Sequence, residues 1–251
     1  MPDLLASLLD LVLAPVCLAC DGVIAPGDTA RLVCRGCRSR LRPLPPPVCP
    51  RCGAPRLRTG REPEPTCGEC VAWPAALRAA RSACLLAPPA DRLVHQLKYR
   101  GWRALAEPLA ERMAAVALPP DVERETGIVI PVPTTATRRR ERGYNQAEVL
   151  ARAYARRTRR DPRNLLQRRG AASTQTILQP AARGANVAGA FRLARGVERD
   201  VRGAHLLLVD DVLTTGATAA ECARTLVAAG ARAASIVTFA RALDVHRLTA
   251  T

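Results

Sequence analysis

The chain has 251 residues, enough for one full α/β domain and a smaller module. Its ten cysteines beside only 3% aromatic residues indicate that part of it is held by something other than an ordinary apolar core. The formal net charge is +16, yet Lys98 is the single lysine among 38 basic residues, so an Arg-, Ala- and Pro-rich composition is as good an explanation as a selected nucleic-acid surface.

The first sixteen residues are apolar but are interrupted by Asp3 and Asp10, and no Lys or Arg precedes them, the reverse of a cleaved signal peptide. Leu4, Leu5, Leu8, Leu9 and Val12 share one helical stripe and predict a short helix packed on the rest of the protein. No later segment approaches roughly eighteen uninterrupted apolar residues, so no membrane span is expected and a cytoplasmic location is.

Eight cysteines then form four C-x-x-C pairs: Cys17/Cys20, Cys34/Cys37, Cys49/Cys52 and Cys67/Cys70. A two-residue spacer lets both thiolates of a knuckle reach one ion, and two knuckles complete a tetrahedral Zn²⁺ site. Gly22 and Gly53 suit the tight turns. A disulfide framework or a redox pair is the competing reading, and four repeated pairs in a reducing compartment argue against both. Sequential pairing gives two ions, one on Cys17, Cys20, Cys34 and Cys37 and one on Cys49, Cys52, Cys67 and Cys70; crossed pairing stays open. All-cysteine sites leave no open coordination position, so these ions are expected to be structural. The segment Pro43 to Pro47 fits a stiff joint between them. Cys84 and Cys222, outside the pairs, read as small core residues.

From about residue 78 apolar runs alternate with helical stretches. Strands are predicted at Ser82 to Ala87, Gly127 to Val132, Leu206 to Val209 and Ala234 to Ala240; helices at Asp91 to Tyr99, Trp102 to Ala117, Asn145 to Thr158 and Ala219 to Ala229, the last closed by Gly230. Alternation of this kind implies βαβ units and a mostly parallel sheet with helices on both faces. The division expected is residues 1–77 for the N-terminal helix and cysteine module and 78–251 for the α/β domain.

Two strand-to-helix turns carry the chemistry. The first, Ile130 to Gln146, holds Arg138, Arg139, Arg140, Arg142, Gly143 and Asn145 in a basic loop suited to a polyanion, because Arg forks match phosphate oxygens in pairs. The second runs Leu206-Leu-Leu-Val-Asp-Asp-Val-Leu-Thr-Thr-Gly-Ala-Thr218. Its loop lies at a strand's carboxyl end, where open α/β sheets bind ligands. Thr214, Thr215 and Thr218 offer hydroxyls, Gly216 admits close backbone approach, Ala217 completes the loop, and the amides opening the helix favour a monophosphate. Asp210 and Asp211 are placed to accept hydrogen bonds from vicinal hydroxyls or to meet a shared cation.

That second string resembles the phosphoribosyl pyrophosphate (PRPP) loop of type I phosphoribosyltransferases. The resemblance narrows when Lys98-Tyr-Arg-Gly101, Pro131-Val-Pro133, Arg142-Gly-Tyr-Asn-Gln146, Thr174-Gln175, Arg183, Asn186-Val187 and Gly189-Ala-Phe191 are read in order behind the four cysteine pairs. The ordered set is similar to the ComF family of competence proteins over nearly the whole chain. It implies a double zinc ribbon followed by a type I phosphoribosyltransferase domain, acting in uptake of transforming DNA. It also implies that Asp210 and Asp211 bind the ribose hydroxyls, Thr214 to Thr218 the 5′-phosphate, the loop around Arg142 and Gly143 the pyrophosphate, and that Mg²⁺ accompanies PRPP. A loop over Gln167 to Asn186, with Arg168, Arg169 and Arg183, is expected to close on the site. Hypoxanthine-type transferases carry a carboxylate at the position of Thr214; this chain does not, so ordinary purine salvage is not implied.

If catalysis occurs, pyrophosphate leaves the anomeric carbon while Mg²⁺ and arginines stabilise the departing charge and the acid pair fixes the ring. The alternative is a non-catalytic DNA- or partner-binding scaffold that keeps the PRPP site as a sensor. Residues 131 to 170 hold twelve arginines against Glu141, Glu148 and Asp161, a patch able to bind a single- or double-stranded DNA backbone. His95, His205 and His246 are isolated; structural roles are expected, with His95 alone near a motif.

Overall fold

The structure is a computed structural model that describes residues 15–25, 28, 31–56, 67–169 and 189–243. The expected N-terminal helix, His246, and the positions 174, 175, 183, 186 and 187 lie outside these residues.

Five parallel strands form one sheet in the order β1-β7-β6-β2-β3: β1 (Leu77–Leu85), β7 (Ala233–Arg241), β6 (His205–Leu213), β2 (Ile128–Pro131) and β3 (Asp161–Pro162). Leu206, Leu207, Leu208 and Val209 are all fully buried, the pattern of a strand covered on both faces. On one face lie α2 (Ala90–Tyr99), α3 (Ala106–Ala114), α4 (Pro120–Glu125) and α6 (Gln146–Thr158), whose Leu93, Leu109, Val122 and Leu150 share a core with Val129, Leu207 and Val237. On the other, α7 (Glu198–Val201) and α8 (Ala217–Ala228) pack Val201, Cys222 and Leu226 against Ile130, Leu206 and Ile236. Full burial of one such leucine is worth about 2 kcal/mol.

The connection after β2 runs through α6 to β3 on one side, whereas that after β6 runs through α8 to β7 on the other. The topology therefore reverses between β2 and β6, and open α/β sheets bind ligands beyond the carboxyl ends of the strands at such a switch point.

Several boundaries differ from the sequence reading. β1 starts at Leu77, five residues before the expected Ser82, because the edge strand is extended by pairing with β7 (Leu77 opposite Ala234). The stretch from Trp102 opens as a single 3-10 turn, Arg103–Leu105, before α3 begins, and Pro108 is accommodated in that helix's first turn. The basic loop contains a helix, α5 (Ala136–Arg142), capped by the Thr135 hydroxyl, which accepts from the Arg138 N–H at 3.2 Å. β4 (Leu166–Arg168) pairs antiparallel with β5 (Phe191–Leu193), so Gln167 and Arg168, expected in a closing loop, are strand residues.

The cysteine segment wraps the β1 edge. The Leu85 N–H donates to the Arg42 carbonyl at 2.8 Å and the Ala80 N–H to the Arg51 carbonyl at 2.8 Å, satisfying an edge that would otherwise be open. Cys17, Ile24, Val33 and Cys37 join the core on the α2/α3 face; Cys49, Cys52, Cys70 and Trp73 join the core on the α8 face. The short helix α1 (Arg35–Ser39) lies in the second knuckle-forming stretch and carries Cys37. Among the described residues, no helix is long and apolar enough to cross a membrane.

Candidate functional site

β6 runs straight into the acid pair and then the loop. Asp211 is 2% exposed and Asp210 half-buried, and burial together with the Asp211 carboxylate pushes the Asp210 carboxyl well above the ordinary range. The pair has a cation beside it: Lys98 Nζ lies 2.9 Å from Asp211 Oδ2. Lys98 is the last-turn residue of α2, so an ion pair crosses from that helix to the central strand.

Together these groups line a cleft of about 540 Å³ over the switch point. Asp210, Asp211, Thr214 and Thr218 form one wall, Lys98, His95 and Tyr99 a second, and Arg138, Arg142 and Arg168 a basic rim. An acid pair, two hydroxyls and three guanidiniums within one cleft fit a ligand with vicinal hydroxyls at its middle and anions at its ends.

The Arg142-Gly-Tyr-Asn-Gln146 motif reads residue by residue. Arg142 is held by Gln146 Oε1 at 2.9 Å and lies 4.9 Å from the Tyr99 ring centroid, which aims it at the cleft. Gly143 ends α5 at φ +74°, and its carbonyl accepts from Arg103 Nη2 at 3.0 Å. Gly143 thus shapes the turn and does not line the cleft, although it was expected among the ligand-binding residues. The buried Tyr144 hydroxyl donates to the Leu97 carbonyl, tying this motif to the residue before Lys98. Asn145 caps α6 by accepting from the Ala147 N–H at 3.2 Å and reaches back to the Val132 carbonyl at 3.1 Å.

Within the other loop, Thr214 and Thr218 face the cleft, while Thr215, Gly216 and Ala217 form its turn; Gly216 has φ +80° and is the residue before α8. The Thr215 hydroxyl accepts from the Ala217 N–H at 3.4 Å.

The eight paired cysteines come together as two sets in sequential order, Cys17, Cys20, Cys34 and Cys37, and Cys49, Cys52, Cys67 and Cys70, with the sulfurs of each set within 4.8 Å of one another. Sulfur separations of 3.9 Å for Cys20–Cys34, 3.9 Å for Cys49–Cys70 and 3.7 Å for Cys52–Cys67 agree with the roughly 3.8 Å edge of a tetrahedron of Zn–S bonds. N–H groups and guanidiniums approach the sulfurs: Cys34 N at 3.4 Å from Cys17 Sγ, Arg40 Nη2 at 3.1 Å from Cys37 Sγ, Ala54 N at 3.5 Å from Cys52 Sγ. Such donors offset the negative charge of a four-thiolate site. These donor sets fit structural zinc. The turn of the second ribbon uses Gly53 at φ +69°, as expected, but in the first it is Asp21, at φ +58°, and not Gly22 that takes the left-handed backbone.

Cys84 and Cys222 are both fully buried core residues, and burial pushes the Cys84 thiol to about 12. His205 is also structural: buried, it meets Ser235 Oγ at 2.9 Å and Glu125 Oε2 at 3.1 Å. His95 lies in the cleft wall, its ring 5.0 Å from that of Tyr99. Much of the arginine excess is engaged within the chain. Arg156 pairs with Glu107, Arg157 with Glu107 and Glu111, Arg160 with Glu123 and Arg152 with Glu148. Lys98 was not among the site residues expected from sequence; its position in the last turn of an amphipathic helix gave no sign of its partner.

Fold and cysteine clusters together define a class: a double zinc ribbon joined to a parallel α/β domain. Residues 8–71 match the family described as the double zinc ribbon domain. DNA utilization protein YhgH of Escherichia coli K12 is 31% identical over 240 residues, covering 93% of this chain and 100% of the relative. Competence protein ComFC of Bacillus subtilis is 25% identical over 243 residues, covering 89% and 93%. The chain belongs to the ComF family of competence and DNA utilization proteins. Among solved structures, a glutamine PRPP amidotransferase from B. subtilis is similar at 21% identity and a TM-score of 0.36 over 54% of this chain; the match spans 26% of the amidotransferase, about a quarter of its length.

Proposed function

We propose that the cleft binds PRPP with Mg²⁺, that Asp210 and Asp211 hold the ribose through its hydroxyls and cation, and that Thr214 to Thr218 cradle the 5′-phosphate. The single observation that carries this reading is the joint placement of a buried acid pair and a Thr-Thr-Gly loop at the switch-point end of β6, inside a cleft rimmed by Arg138, Arg142 and Arg168. The guanidiniums suit the pyrophosphate, whose charge exceeds that of a monophosphate. Gly143 supports this rim by ending α5 and anchoring Arg103.

In this reading residues 1–77 are the zinc module, carrying two structural ions, and residues 78–251 the transferase domain. The relatives are named for DNA utilization and competence, and the reading adopted for this chain is the same cellular role, carried out in the cytoplasm with DNA or DNA-uptake proteins as partners. If transfer occurs, the C1–O bond to pyrophosphate breaks as an acceptor forms a bond to the same carbon. The arginines take up the charge of the leaving group, and the acid pair orients the ring. Mg²⁺, when bound with PRPP, supplies further neutralisation of the pyrophosphate. Lys98, now paired with Asp211, is placed to move to a phosphate oxygen when the cation arrives at the acid pair.

The test replaces Asp210→Asn and Asp211→Asn together and measures equilibrium binding of PRPP in Mg²⁺. Binding is expected to be lost with the circular dichroism spectrum unchanged; unchanged affinity would overturn the assignment.

A further inference from the structure

The loop after β6 rests on a residue of the cysteine module. Trp73, 8% exposed, donates its indole N–H to the Thr215 carbonyl at 3.0 Å. Gly216 lies on the ring itself: a Cβ there would stand 2.6 Å from Trp73 Cε2 and 2.8 Å from Nε1, closer than any side-chain carbon can approach. Glycine at 216 therefore meets two demands, a left-handed backbone and an indole in contact with it. A trans peptide holds its carbonyl and its N–H on opposite sides. Anchoring the Thr215 carbonyl on Trp73 turns the Gly216 N–H to the other side of the loop, presenting a donor and removing an acceptor that would repel an anion.

Trp73 is in turn fixed by the second cysteine cluster. Its backbone N–H donates to the Cys70 carbonyl at 3.0 Å, and the Cys70 backbone N–H donates to the Cys67 carbonyl at 3.0 Å. Arg51, between Cys49 and Cys52, reaches across with its guanidinium to the carbonyls of Cys70 at 3.2 Å, Trp73 at 3.2 Å and Pro74 at 2.7 Å. A second strut joins the same cluster to the strand beside the loop. The buried Arg241 donates to the Cys52 carbonyl at 2.7 Å and stands in register with Leu213, the last residue of β6.

We propose that the second cysteine cluster sets the phosphate loop through Trp73, so that metal held by Cys49, Cys52, Cys67 and Cys70 and anion bound at Thr214 to Thr218 stabilise one another. Trp73 is a positioning residue, acting on the loop from the side away from the cleft. The inference rests on the reading of that loop as a phosphate site. Linkage is reciprocal: whatever factor the metal lends to anion affinity, the anion lends to metal retention.

The chain has two tryptophans, so Trp102→Phe leaves Trp73 as the sole indole reporter. In that background, titration with PRPP and Mg²⁺ is expected to shift Trp73 emission with the midpoint seen by calorimetry. Trp73→Ala is expected to weaken PRPP about tenfold, with two zinc per chain retained and circular dichroism unchanged, and Trp73→Phe to fall between. At saturating PRPP, a chromogenic chelator should withdraw one zinc equivalent more slowly from the Trp73 protein, and no more slowly from Trp73→Ala. Affinity of Trp73→Ala within twofold of the parent, or zinc release from the parent indifferent to PRPP, overturns the coupling. Should Trp73→Ala not fold, the release rates of the parent decide alone. A parent protein that does not bind PRPP at all removes the site reading itself, and the coupling with it, whereas binding without coupling removes only the latter.

Discussion

The two cysteine clusters share a ligand set and nearly a spacing, with thirteen residues between the pairs of the first and fourteen between those of the second. Their surroundings differ. In the first, Cys20 is exposed and Cys34 partly so, and the cluster meets the α2/α3 face through apolar contacts and an exposed ion pair between Asp21 and Arg92. In the second, Cys49, Cys52 and Cys70 are buried, and the fully buried Arg241 ties the Cys52 carbonyl to β7. The lesson is that what a structural metal governs is decided by what is packed on it. Identical ligands join the α2/α3 core in one case and, through Trp73, lie under the loop after β6 in the other.

The largest effect expected from breaking this contrast is at a ligand of the second cluster. Cys52→Ser should lose one zinc, by elemental analysis, and lower both thermal stability and PRPP affinity, whereas Cys20→Ser should lose one zinc and leave PRPP affinity within about threefold. Equal losses in both variants would erase the contrast. Next comes Arg241→Met, which removes the guanidinium donor to the buried Cys52 carbonyl and its ion pair with Glu69 at 3.4 Å. Breaking such a contact costs about 3 kcal/mol in urea unfolding.

A smaller effect, of opposite sign, is expected at the acid pair. The Asp210 carboxyl is raised in the fold by burial and then by Asp211, so its contribution to stability is present below the unfolded value of 3.8 and is lost as pH rises through the folded one. Asp210→Asn should therefore raise the melting temperature at neutral pH, and the gain should vanish as pH falls toward that lower value. A pH-independent difference would place its cause elsewhere. The smallest is Arg92→Ala: it removes a pair whose side chains are 44% and 65% exposed, so it should cost less than about 1 kcal/mol and leave PRPP binding intact.

Much of this architecture was legible in the residues because the relevant signals are local. The Leu206 to Val209 run followed by two acids and a glycine loop specifies a strand end and a helix start without reference to anything distant, and C-x-x-C spacing specifies knuckles. The helix α5 was hidden because Arg138, Arg139 and Arg140 give it no apolar stripe; only the Thr135 cap and the glycine at 143 marked it. Lys98 with Asp211, and Trp73 with Thr215, are separated by more than a hundred residues, and no periodicity encodes such meetings. The arginine-rich stretch misled in a different way. Its excess over local acids was real, but Arg156 and Arg157 of α6, and Arg160 just beyond it, pair with Glu107, Glu111 and Glu123, which lie outside the counted window.

The central claim is that the switch-point cleft is a working phosphoribosyl site. Calorimetric titration of the wild-type protein with PRPP in Mg²⁺ tests it most directly. Saturable binding with one site per chain, competed by pyrophosphate, is the predicted result. The absence of saturable heat would contradict the account and leave the fold as a scaffold for DNA or protein partners.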